Sequence, residues 1–85
     1  MSVISPEVLA RYAADAAAEV PGVHTKQRRP AKVSGDEVEV HVVADYGAEI
    51  PRVAAEVQQR VFEYLLRMAH VTPSAVNVVV DDVVR

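Results

Sequence analysis

Between Val38 and Met68 the apolar residues change period once, and that change fixes the class of fold. Val38, Val40, Val42 and Ala44 alternate with Glu37, Glu39, His41 and Asp45, the two-residue repeat of a strand with one buried and one wet face. After the connection Tyr46-Gly47-Ala48-Glu49, the residues Ile50, Val53, Ala54, Val57, Val61, Tyr64, Leu65 and Met68 recur at helical spacing. Pro51 suits the first turn of that helix. Arg52, Glu56, Arg60, Glu63 and Arg67 fall on its solvent side, with Glu56–Arg60 and Glu63–Arg67 in the order that favours ion pairing. A half-buried strand followed by an amphipathic helix places the chain in the α+β class.

The flanking segments complete the pattern. Ser5-Pro6-Glu7 reads as a helix start, with Ser5 as the cap and Glu7 at the positive end of the dipole. Leu9, Tyr12, Ala13, Ala16 and Val20 then form one stripe, and Pro21-Gly22 ends the helix. Val23 to Val33 reads as a first strand, held to a sheet edge or bulged because Pro30 lacks a ladder donor. Ser34-Gly35-Asp36 turns the hairpin. After Pro73, Val76, Val78 and Val80 face inward on a last strand that ends at Asp81-Asp82. The expected order is α-β-β-α-β in one domain spanning residues 1–85, with two helices packed on one face of a three-stranded sheet.

Composition narrows the function classes. With 85 residues and no cysteine, the chain has neither disulfides nor thiolate metal sites to reinforce a small core. Good packing or association with another subunit must supply the stability. The net charge of −3 argues against DNA binding driven by phosphate neutralisation. One phenylalanine and no tryptophan give no platform for stacking bases. The longest unbroken apolar run of the last strand, Val78-Val79-Val80, is far too short to span a membrane, and the first residues lack the pattern of a signal peptide. A cytoplasmic location without direct membrane insertion is expected.

Chemistry finds little purchase. His24 and His41 lie on different strands, and a hairpin turning at Gly35 sets them some five positions, roughly 17 Å, apart. His70 closes the second helix, where a cation suits the dipole. None has a recognised metal-ligand spacing, so no metal or cofactor is expected. Glu37 and Glu39 share the wet face with His41, but no nucleophile, oxyanion loop or phosphate cradle accompanies them, and no catalytic residue is assigned.

Two segments suggest contacts instead. Phe62 and Leu66 fall outside the main stripe of the second helix and form a second apolar strip. Val79 and Val83 are assigned to the outer face of the last strand, which must be a sheet edge and so invites another strand unless Asp81 and Asp82 blunt it or Val3-Ile4 covers it. Lys26, Arg28, Arg29 and Lys32 concentrate four of the nine basic residues in one short segment. Such a cluster serves either as a charged guard on an edge strand or as an anion or RNA site.

Three ordered runs carry a family likeness. Ile4 to Leu9 with Glu19-Val20-Pro21-Gly22-Val23, Tyr46 to Ala54 continuing into Val57-Gln58 and Val61, and Val76-Asn77-Val78-Val79-Val80 together resemble the alkaline shock protein family of envelope stress response proteins. The resemblance implies a non-enzymatic bacterial protein of cell-envelope homeostasis and alkaline or general stress. In that family some members self-assemble, and some are held at the membrane by an integral-membrane partner with a related domain. It implies a homo-oligomer or such a partner here, with a cytoplasmic location that becomes peripheral at the membrane through the partner. Two segments depart from the family pattern: the short basic stretch between Val23 and Val33, and Met68-Ala69-His70, where Met-Thr-Gly is usual. Assembly through Phe62, Leu66, Val79 and Val83 is therefore the leading expectation, and RNA binding through Lys26, Arg28, Arg29 and Lys32 the alternative.

Overall fold

The computed structural model describes residues 4–85, so the suggested cover of the last strand by Val3 lies outside the described residues. Six elements follow one another: α1 (Pro6–Ala18), β1 (Val23–Thr25), β2 (Ala31–Ser34), β3 (Glu37–Asp45), α2 (Ile50–Ala69) and β4 (Ala75–Val84). Ser5 caps α1 by accepting the Val8 N–H on its hydroxyl at 3.3 Å, with Pro6 in the first turn. Gly22, at φ +94°, carries the chain from α1 into β1. A Cβ there would meet Ala48 and Val53 only at 3.7 Å, so the backbone angle and not crowding calls for glycine.

The sheet has four strands, not three, and the order is α-β-β-β-α-β. The expected first strand is broken because Pro30 has no N–H to give and Arg29 adopts a left-handed conformation, φ 48°. The chain leaves the sheet over residues 26–30 and rejoins it at Ala31. β1 and β2 consequently lie end to end along the same flank of β3, both antiparallel to it, from Val23↔Ala44 to Thr25↔Val42 and from Ala31↔Val40 to Ser34↔Glu37. This excursion also shortens the distance between two histidines. His24 pairs with Val43, two register positions from His41 instead of five.

On the other flank β4 runs parallel to β3, joined through α2. The strand does not stop at Asp81-Asp82. A bulge between the pairs Val42↔Val80 and Val43↔Asp82 takes up Asp81, and pairing resumes through Asp45↔Val84.

Both helices cover one face of the sheet. Val38, Val40, Val42 and Ala44 of β3 are fully buried beneath Ala13, Ala16, Ala17 and Val20 of the α1 segment and Val53, Val57, Val61 and Leu65 of α2. Tyr12 and Tyr64 meet edge to face at 5.9 Å across the helix pair. Met68 departs from the expected stripe and is 48% exposed, since the last turn of α2 extends past the final core residue, Leu65. The surface ion pair on this helix is Arg52–Glu56 at 3.6 Å, while Glu63 accepts from Gln59 at 3.1 Å.

Candidate functional site

The hydrogen-bond ladder decides which backbone groups of β4 remain open. His41 N–H donates to the Pro30 carbonyl and Asp45 N–H to the Gly22 carbonyl, both at 2.8 Å, so odd-numbered residues of β3 face β1 and β2. Its even-numbered residues therefore face β4, and in a parallel ladder they bond the residues flanking their register partners. Before the bulge those are Ala75, Asn77 and Val79. The N–H and C=O groups of Val76, Val78 and Val80 point away from the sheet. Past the bulge the parity shifts: Tyr46 N–H reaches the Val84 carbonyl at 2.7 Å, which turns Val83 outward.

Two of these outward groups are satisfied within the chain. Gln58 of α2 donates its side-chain amide to the Val76 carbonyl at 2.9 Å. The Asp82 carboxylate accepts the Val83 N–H at 2.8 Å. Val78 and Val80 remain between them, open among the described residues.

Phe62 and Leu66 continue the stripe that begins at Gln58 and are 38% and 43% exposed. Phe62 lines a shallow groove with Gln58, Pro73, Ala75 and Val76. The apolar strip expected on α2 thus stands beside the open edge of β4. The two valines assigned to the outer face separate, however. Val79 pairs with His41 and shares its outer face, whereas Val83 pairs with the buried Ala44 and shares the helix face, where it is 47% exposed. The bulge at Asp81 causes this correction, because one extra residue inverts the alternation beyond it.

The outer sheet face carries a charged chain of contacts. Both ring nitrogens of His41 meet carboxylates, Nε2 with Glu39 at 2.8 Å and Nδ1 with Asp81 at 2.9 Å. Asp81 also meets Lys26 at 3.6 Å. Hydrogen bonds donated by the ring to Glu39 and then to Asp81 push the His41 pKa above its ordinary 6.5. Sequence alone joined Glu39 to His41 but missed Asp81, which only the bulge brings across from β4. The Asp81-Asp82 doublet inside a run of valines was its one visible signal. Glu37 takes no part in these contacts, and His24 pairs separately with Asp45 at 2.8 Å.

The basic segment is divided by the same geometry. Lys26 is engaged by Asp81, Arg28 and Arg29 sit exposed on the excursion between β1 and β2, and Lys32 projects beside Glu39 in register. No three His, Asp or Glu side chains among the described residues converge as metal ligands. No helix among them is long and apolar enough to cross a membrane.

A family model described as the alkaline shock protein family, cell envelope-related function, matches residues 31–85. The match covers β2, β3, α2 and β4, including the exposed strip and the open edge, and leaves out α1, β1 and the cations Lys26, Arg28 and Arg29. No curated protein and no solved structure shows significant similarity to the chain.

Proposed function

Because the chain belongs to the alkaline shock protein family, whose function is related to the cell envelope, we propose that it acts there as a non-enzymatic assembly or adaptor module, through protein–protein contacts along α2 and β4. The observation that carries this reading is the juxtaposition of Phe62 and Leu66 with an edge strand whose central residues keep unpaired backbone groups. An exposed apolar strip beside open strand hydrogen-bonding groups costs a small domain solubility and stability unless a partner covers it. The family match also falls on this side of the molecule, which favours it over the basic excursion. Attachment to the envelope then follows from the partner, with the chain itself at the cytoplasmic surface.

The test is the distribution of the protein between envelope and soluble fractions in cells of its natural source. Wild type is expected with the envelope, and Phe62→Glu and Leu66→Glu, shown by circular dichroism to be folded, in the soluble fraction. An unchanged distribution of both variants would overturn this reading.

A further inference from the structure

We propose that β4 pairs with β4 of a second copy of this chain, antiparallel, about a two-fold axis passing beside Val79. The inference rests on the contact reading above and names its occupant. Among the described residues of the edge, only Val78 and Val80 keep both outward groups unpaired, and they stand symmetrically about Val79. In an antiparallel pair centred there, Val78 exchanges two hydrogen bonds with the partner's Val80, and Val80 exchanges two with the partner's Val78. All open groups at these residues are then used, and no contact made within the chain is displaced.

Neighbouring registers fail this condition. An axis at Val78 would set Val80 against the partner's Val76, whose carbonyl already accepts from Gln58. An axis at Val80 would carry Val78 onto the partner's Asp82, beyond the bulge and turned toward β3. The Gln58–Val76 bond on one side and the bulge at Asp81 on the other therefore act as stops that leave one register.

Side chains on both faces agree with it. On the outer face Asn77 comes opposite the partner's Asp81, an amide donor against a carboxylate instead of two like charges. On the helix face Val78 meets the partner's Val80. Past the bulge Val76, with Phe62 beside it, comes next to the partner's Val83. The strip on α2 and the exposed valine at the end of β4 would then cover each other twice around one axis. A two-fold pairing of this kind closes and stops at two copies.

Residue 79 alone would face its own symmetry mate, which gives the test. Sedimentation velocity over a wide concentration range is expected to show wild type passing from monomer to dimer at physiological salt. Val79→Lys and Val79→Glu, each folded by circular dichroism, are expected to stay monomeric, because each sets like charges together at the axis. Their equimolar mixture is expected to restore the dimer. A wild-type monomer throughout, dimers that survive either variant, or a mixture that stays monomeric would each overturn the proposal. The envelope distribution of Phe62→Glu is a separate readout, so a different partner on the same surface would show as a wild-type monomer whose envelope association is still lost on that substitution.

Discussion

Asp81, the residue that bulges β4, places its carboxylate 2.9 Å from Nδ1 of His41 on the neighbouring strand. The other ring nitrogen, Nε2, meets Glu39 at 2.8 Å. Carboxylates only accept, so both contacts are hydrogen bonds only when the ring carries two protons. That is the physical content of the raised pKa. The bulge, and with it the face on which Val83 lies, is tied to an imidazolium clamp across β3 and β4.

Stability should follow that clamp. The folded pKa of His41 lies above its unfolded value of 6.5, so its contribution is complete below that value and is lost as pH rises through the folded one. Urea denaturation at a series of pH values is expected to show wild type losing stability above pH 6.5 relative to His41→Asn. Parallel profiles for the two proteins would show that the clamp contributes nothing. Glu39 and Asp81 are the charged groups that meet the ring, and Lys26 meets Asp81, so the comparison with His41→Asn reads the contribution of the His41 proton.

His70 closes α2 in a left-handed conformation, φ 55° and ψ 35°, with its N–H bonded to the carbonyls of Leu65 and Leu66. Glycine is the residue that adopts this position without a Cβ penalty. His70→Gly is expected to stabilise the domain by about 0.5–1 kcal/mol in thermal or urea melts, and His70→Ala is not. Loss of stability in the glycine variant would contradict the cap.

Proline substitution reads the polarity of β4 directly. The Val79 N–H faces β3, so Val79→Pro should lose a ladder bond and cost roughly 1–3 kcal/mol. The Val78 N–H faces outward, so Val78→Pro should retain more of the stability while losing self-association. Equal damage from both would refute the derived parity.

Replacing Lys26, Arg28, Arg29 and Lys32 by glutamate tests the RNA alternative. No gel shift with single-stranded RNA is expected for wild type even at low salt, with Lys26 held by Asp81 and a net charge of −3. Affinity that falls steeply with salt and disappears in the fourfold variant would establish the alternative. Lys26→Glu alone breaks a half-exposed pair and should change stability by less than about 1 kcal/mol.

Local periodicity made β3 and α2 legible, since Val38, Val40, Val42 and Ala44 and then Val53, Val57, Val61 and Leu65 repeat at the spacing of their own elements. What escaped depends on partners distant in sequence. Pro30 signalled a disturbance in the first strand, but that the chain departs for five residues depends on the left-handed Arg29 and on β3 holding both halves. Asp81-Asp82 read as a strand end because two charges interrupt the valines. Only the β3 register shows that Asp81 is extruded toward His41 and that Val83 changes face. Phe62 and Leu66 were visible as residues outside the stripe, whereas the open groups at Val78 and Val80 needed the ladder itself.

The chain has no cysteine, which permits the most direct test of β4 as the contact edge. Val79→Cys would set two thiols opposite each other at the axis, in a non-hydrogen-bonded antiparallel pair with Cα atoms about 4.5 Å apart, within disulfide reach. Under mild oxidation at low micromolar protein, this variant is expected to form a covalent dimer rapidly. Val43→Cys, on the same face but on the central strand, is expected to remain monomeric. Equal cross-linking of the two, or none at residue 79, would contradict the assignment of β4 as the surface through which this protein assembles.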